Sequence, residues 1–133
     1  MDEEKIFEKN GNGLGSVRIA DEVVSVIAGL AATEVEGIEG MSGGIVGGIA
    51  EMLGRKNFAK GVKVEVGEKE AAVDLYVIVR YGVRIPDVAI ATQENVKQAI
   101  ETMTGLSVVE VNVHVQGVRF PGDEPKEDEV RVR

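Results

Sequence analysis

Apolar and polar residues alternate along two stretches of the chain, and recur with helical spacing between them. In the first, Ala71, Val73, Leu75, Val77, Val79 and Tyr81 alternate with Asp74, Tyr76, Ile78 and Arg80. In the second, Val109, Val111, Val113 and Val115 alternate with Glu110, Asn112, His114 and Gln116. A period of two over such lengths predicts strands with one buried face and one more polar face. Between them, Val88, Ala91, Val96, Ala99, Ile100 and Met103 mark a single stripe on a helix over 86–103. The unit 71–117 therefore reads strand, helix, strand.

Upstream, a short alternation over 14–19 predicts another strand, and a helix follows over 20–34. Val23, Val24, Ile27, Leu30 and Ala31 form its stripe, and Asp21 and Glu22 sit in the first turn, where the helix dipole favours carboxylates. Gly37 ends this segment. Val17-Arg18-Ile19-Ala20-Asp21 returns as Val83-Arg84-Ile85-Pro86-Asp87, which suggests two similar strand-helix arms. Residues 36–48 are too rich in glycine to form helix or strand throughout. Beyond them Ile45, Ile49, Met52 and Leu53 share one face of a short helix. That stripe either closes over the core or is a mobile element that docks on a partner or a membrane surface. Val62, Val64 and Val66 make a strand, turned back at Gly67 into the strand from Ala71 as a hairpin. The expected fold is α+β: a mainly antiparallel four-stranded sheet with two principal helices on one face. A glycine-rich loop and a short helix are inserted after the first of them. Residues 1–13 read as a flexible leader, 14–120 as one domain, and 121–133 as a disordered, charged tail.

Composition narrows the chemistry. The 133 residues suffice for one two-layer core. A net charge of −8 argues against a general binder of nucleic acid or anionic membranes. With no Cys, thiol catalysis, disulfides and zinc thiolate sites are excluded. The charged start, Met1-Asp2-Glu3-Glu4-Lys5, is not a signal peptide, and no apolar run approaches the ~20 residues of a membrane span. A reduced cytoplasmic compartment is the expected location, and any attachment to a membrane is peripheral, through a partner.

Candidate chemical groups are few. His114 is the sole histidine, and with Glu110 and Asn112 beside it offers thin metal ligation. No Ser sits in a nucleophile elbow, and no carboxylate pair is set in an apolar stretch. No catalytic, cofactor-binding or metal residues are expected, and the chain reads as a non-enzyme. The spacing after Gly48 misses the phosphate-loop pattern. Gly44-Ile45-Val46-Gly47 does match the G-x-x-G backbone clamp of KH domains, which makes a KH-like RNA-binding module the alternative reading. The polar face of the sheet carries Tyr76, Ile78, Arg80, Asn112 and His114. Exposed aromatic and aliphatic bodies beside Arg are usual interface anchors, so this face is the candidate interaction surface.

Taken in order, the segments resemble the alkaline-shock-protein family, also called the Gls-type envelope stress response family. The resemblance is carried by Gly15-Ser16-Val17-Arg18-Ile19-Ala20-Asp21-Glu22-Val23-Val24, Glu36-Gly37-Ile38 and Lys60-Gly61-Val62-Lys63-Val64-Glu65-Val66. It continues through Tyr81-Gly82-Val83-Arg84-Ile85-Pro86-Asp87-Val88-Ala89, Gln93-Glu94-Asn95-Val96-Lys97 and Val111-Asn112-Val113-His114-Val115-Gln116-Gly117-Val118. It covers about residues 14–120. It implies a non-enzymatic protein of general stress and cell-envelope homeostasis, cytoplasmic, self-associating into homo-oligomers, and in some cases held at the membrane by a separate anchor protein. The family has no agreed catalytic residues, and none are carried over.

Overall fold

A computed structural model describes residues 13–42 and 59–122. Its elements follow in the order α1 (Asp21–Thr33), β1 (Ile38–Met41), β2 (Val62–Val66), β3 (Glu70–Arg80), α2 (Ile85–Thr104) and β4 (Ser107–Arg119). The architecture is α+β: one four-stranded sheet with both helices packed on one face and against each other. Residues 1–12 of the leader, 123–133 of the tail, the glycine segment from Gly43 onward and the stripe Ile45, Ile49, Met52 and Leu53 lie outside the described residues.

β3 is the centre of the sheet. β2 pairs with it antiparallel, from Val62 opposite Leu75 to Val66 opposite Ala71, as the hairpin reading expects. β1 also pairs antiparallel, further along β3, with Ile38 opposite Val79 and Met41 opposite Val77. The two short strands meet at Tyr76, whose C=O accepts from Ser42 N–H at 2.7 Å and whose N–H donates to Gly61 C=O at 2.8 Å. They lie end to end along one edge of β3. β4 occupies the other side and runs parallel to β3. The crossover through α2 makes that direction possible, since two parallel strands cannot be joined by a tight turn.

The fourth strand is not where alternation placed it. Residues 14–20 belong to no strand, and Leu14 and Val17 are exposed. Six alternating residues are a weak signal, and β1 fills the edge of β3 beside Val77 and Val79 instead. Gly40 sits in β1 next to a register shift, so the glycine-dense segment opens as a strand with an irregularity.

The core forms between the helices and the inward residues of the sheet. Val73, Leu75, Val77 and Val79 of β3 meet Val24, Ala28 and Ala32 of α1 and Val96 and Ile100 of α2, all at most 1% exposed. Thr92 is also buried there, and its hydroxyl donates to Val88 C=O at 2.7 Å. Pro86 stands in the first turn of α2, where a missing N–H costs nothing. Gly105, left-handed at φ 80°, caps the other end. Asn95 of α2 donates to Ala31 C=O at 2.7 Å and satisfies an end carbonyl of α1.

Both helical stripes are rotated from the sequence reading. On α1 the buried line runs through Val24, Ile27, Ala28, Ala31 and Ala32, while Val23 and Leu30 stay exposed. On α2 it runs through Val88, Thr92, Val96 and Ile100, leaving Ala91 and Met103 exposed. Ala28, Ala31 and Ala32 fill the buried line beside Val24 and Ile27, and Val23 and Leu30 fall at the rim. In β4, a register shift between Ala71 and Ala72 of its partner leaves Val109 bulged and 57% exposed, off the core face.

Candidate functional site

Sheet sidedness sets the geometry of the candidate surface. Val111 is buried toward the helices, and its neighbours Asn112 and His114 point to the opposite face, as alternation requires. In register, Tyr76 stands opposite His114 and Asp74 opposite Asn112. The rings of Tyr76 and His114 stack, with centroids 4.5 Å apart and planes within 10°. Lys63 of β2 holds its ammonium 5.7 Å from the Tyr76 ring centroid, within reach of a cation–π contact.

Beside the stack runs a polar chain. Asn112 Nδ2 donates to Asp74 Oδ1 at 3.0 Å and to Glu110 Oε2 at 2.8 Å. His114 Nε2 lies 3.3 Å from the same Asp74 oxygen. These contacts, Asn112 first and His114 next, hold the Asp74 carboxyl below its usual pKa because they favour the ionised form. The side chains of His114 and Asp74 remain 42% and 40% exposed, so the row is ordered but open to water.

Toward the other end of the face, Ile78 stands opposite Gly117, which has no side chain to cover it. Arg80 reaches Glu36 at 3.1 Å, and Arg119 Nε approaches Glu39 at 3.7 Å. Tyr81 leaves the core alternation at the end of β3 and stacks on Phe120 with centroids 5.0 Å apart. All five residues singled out from the sequence, Tyr76, Ile78, Arg80, Asn112 and His114, thus lie on one sheet face.

Two features escaped the sequence reading. Between the helices, Val23, Val26, Leu30, Ala99 and Met103 line an apolar groove of about 760 Å³, with Glu22 and Glu34 at its rim. Val23, Leu30, Ala99 and Met103 belong to the apolar stripes that the sequence assigns to the core, because periodicity cannot say how wide a stripe the core consumes. The second is a polar line on α2, Gln93, Lys97 and Glu101, whose side chains reach the outer edge of β4. Their i, i+4, i+8 spacing was the available signal. Glu101 is held below its usual pKa by Lys97, which donates to it at 2.8 Å, and then by the Val108 N–H.

The chain is 44% identical over 119 residues to the uncharacterized protein YqhY of Bacillus subtilis (strain 168), across 90% of this chain and 86% of that protein. A stress response regulator gls24 homolog of Streptococcus pyogenes (serotype M3) is 34% identical over 106 residues, 79% of this chain and 59% of the homolog. Among solved structures, a MamM-CTD variant shares 14% identity at a TM-score of 0.47, over 74% of this chain and 98% of that one. The sequence profile of the alkaline shock protein 23 family, described by cell envelope-related function, matches residues 9–120. With that span matched and a stress-response regulator homolog among its relatives, the chain belongs to the alkaline shock protein family of cell envelope-related function.

Proposed function

We propose that the chain is a non-enzymatic binding module of the envelope stress response, working through protein–protein contact and self-association. One observation carries this reading: the sheet face opposite the helices is an ordered, half-exposed platform centred on the Tyr76–His114 stack. Its side chains are already held by their neighbours, so little conformational entropy is lost when a partner lands on them. Aromatic and Arg anchors around a partly apolar centre, here Tyr76, Ile78 and Arg80, are the usual makings of a protein interface. The only histidine stacks on this broad face beside Asp74, an arrangement suited to a surface rather than to a substrate. The net charge of −8 disfavours the RNA reading, for which Gly44-Ile45-Val46-Gly47 would be the clamp. No helix among the described residues is long and apolar enough to cross a membrane. A protein partner that is itself anchored is the route to the envelope that we favour, with this chain cytoplasmic and peripheral.

The test is the double variant Tyr76→Ala, Arg80→Glu. It removes a stacked pair worth about 1 kcal/mol and an exposed ion pair worth less than about 1 kcal/mol. The fold should survive with a modestly lowered melting point, while capture of the native partner by the tagged protein in its own cells falls at least about tenfold. Undiminished capture would place the working surface elsewhere.

A further inference from the structure

Among the described residues, the outer edge of β4 is covered over half its length and open over the rest. In a parallel ladder alternate residues turn their N–H and C=O toward the neighbouring strand, and the others turn them away. Ser107 and Arg119 bond inward, to Lys69 and Tyr81, and the two register shifts leave Val108, Val111, Val113 and Val115 directed outward. At the first two of these, α2 supplies partners. Val108 N–H donates to Glu101 Oε2 at 2.8 Å, Lys97 Nζ to Val108 C=O at 3.4 Å, and Gln93 Nε2 to Val111 C=O at 2.9 Å. Continuing the same helical line by one more turn gives Ala89, which has no polar group to offer. The cover from α2 stops where Val113 and Val115 begin.

The open half is also the uncharged half. From Val111 to Val118 there is no Asp, Glu, Lys or Arg, in a chain of which 29% is charged and whose net charge is −8. Natural edges left bare are usually blunted by lysine, proline or inward-pointing charge; among the described residues this one has the bulge at Gln116 and no such residue from Val111 to Val118. Two copies of so acidic a chain repel over most of their surfaces, but not along this strip.

We propose that the edge of β4 from Val113 to Val115 pairs antiparallel with the same edge of a second copy of this chain. The two four-stranded sheets then join into one. A twofold axis beside His114 makes the contact self-complementary. Val113 of each copy exchanges backbone hydrogen bonds with Val115 of the other, valine meets valine on the helix side, and His114 meets its counterpart on the open face. The inference specifies the self-association in the reading above, but it uses the strand edge and not the platform.

Because the chain has no Cys, a single introduced thiol reports on the geometry. In a non-hydrogen-bonded antiparallel pair the Cα atoms lie about 4.5 Å apart, within the span of a disulfide. Mild oxidation of His114→Cys should trap a covalent dimer, and Lys63→Cys, on β2, should stay monomeric. Sedimentation of the wild-type chain should show a dimer that Val115→Pro dissociates. The N–H lost at Val115 points outward, so the monomer keeps its ladder to β3. The double variant Tyr76→Ala, Arg80→Glu should remain dimeric. A monomeric wild type, equal crosslinking of both cysteine variants, or a dimer that persists in folded Val115→Pro would each overturn the proposal. So would a dimer lost in the platform variant and kept in Val115→Pro, which would assign self-association to the platform. If Val115→Pro does not fold, the cysteine pair decides alone.

Discussion

A single residue shows how firmly sidedness is imposed. Val111 is 9% exposed and faces the helices, between two residues that face the other way. Val111→Asp would set an unpaired carboxylate against Val73, its partner in register. The expected loss is about 3 kcal/mol or more, a large share of a small domain's stability. Chemical denaturation measures it directly, and a variant as stable as the parent would mean that the side chain escapes to solvent. Such sidedness was legible in the sequence, because in a strand each residue's face follows from its neighbour's. The exception is instructive. Val109 belongs to the same alternation and lies exposed, since the bulge beside it arises from pairing with β3 and leaves no local mark. Asp74 shows the same limit: its lowered pKa depends on Asn112 and His114, which lie far along the chain and arrive only through register.

At the scale of elements, helix extents were close to the sequence reading and helix rotations were not. The observed α1 and α2 differ from the expected 20–34 and 86–103 by one residue at each end, because caps, proline and glycine act locally. Rotation depends on what each helix packs against. The repeated pentapeptide sits differently at the two helices: only Asp21 of the first copy enters α1, whereas Ile85, Pro86 and Asp87 of the second lie within α2, and the first arm has no strand. The junction between α1 and β1 carries a sharp packing constraint. Gly37 adopts φ 103°, and a Cβ there would come within 2.8 Å of Val88 Cγ2 on α2. Gly37→Ala therefore combines left-handed strain with overpacking, and should cost about 2–4 kcal/mol. Urea unfolding should show a lower midpoint with an unchanged slope; a loss under about 0.5 kcal/mol would mean that the junction yields easily.

For the whole molecule, the arrangement of β1 and β2 makes a distinct forecast. Ser42 and Gly61 both bond to Tyr76, so the chain leaves the edge of β3 and rejoins it at one point. Replacing residues 43–60 by a few glycines should leave the sheet intact. Loop-closure entropy favours the shorter link by about 0.6 kcal/mol for each halving, so the melting point should hold or rise slightly. A broad, non-cooperative melt would show that the segment contributes to the core. From the sequence alone came the α+β class, the β2–β3 hairpin, the strand-helix-strand unit, the open face with Tyr76, Ile78, Arg80, Asn112 and His114, and the family. Each is written in local periodicity, turn residues or collinear motifs. Tertiary structure alone decided that the fourth strand is β1 and not residues 14–19, that β4 runs parallel to β3, how far each helix is turned, and that Gln93, Lys97 and Glu101 cover half of an edge. These depend on which distant segments compete for the same edge or groove, and that competition is settled only when the chain packs.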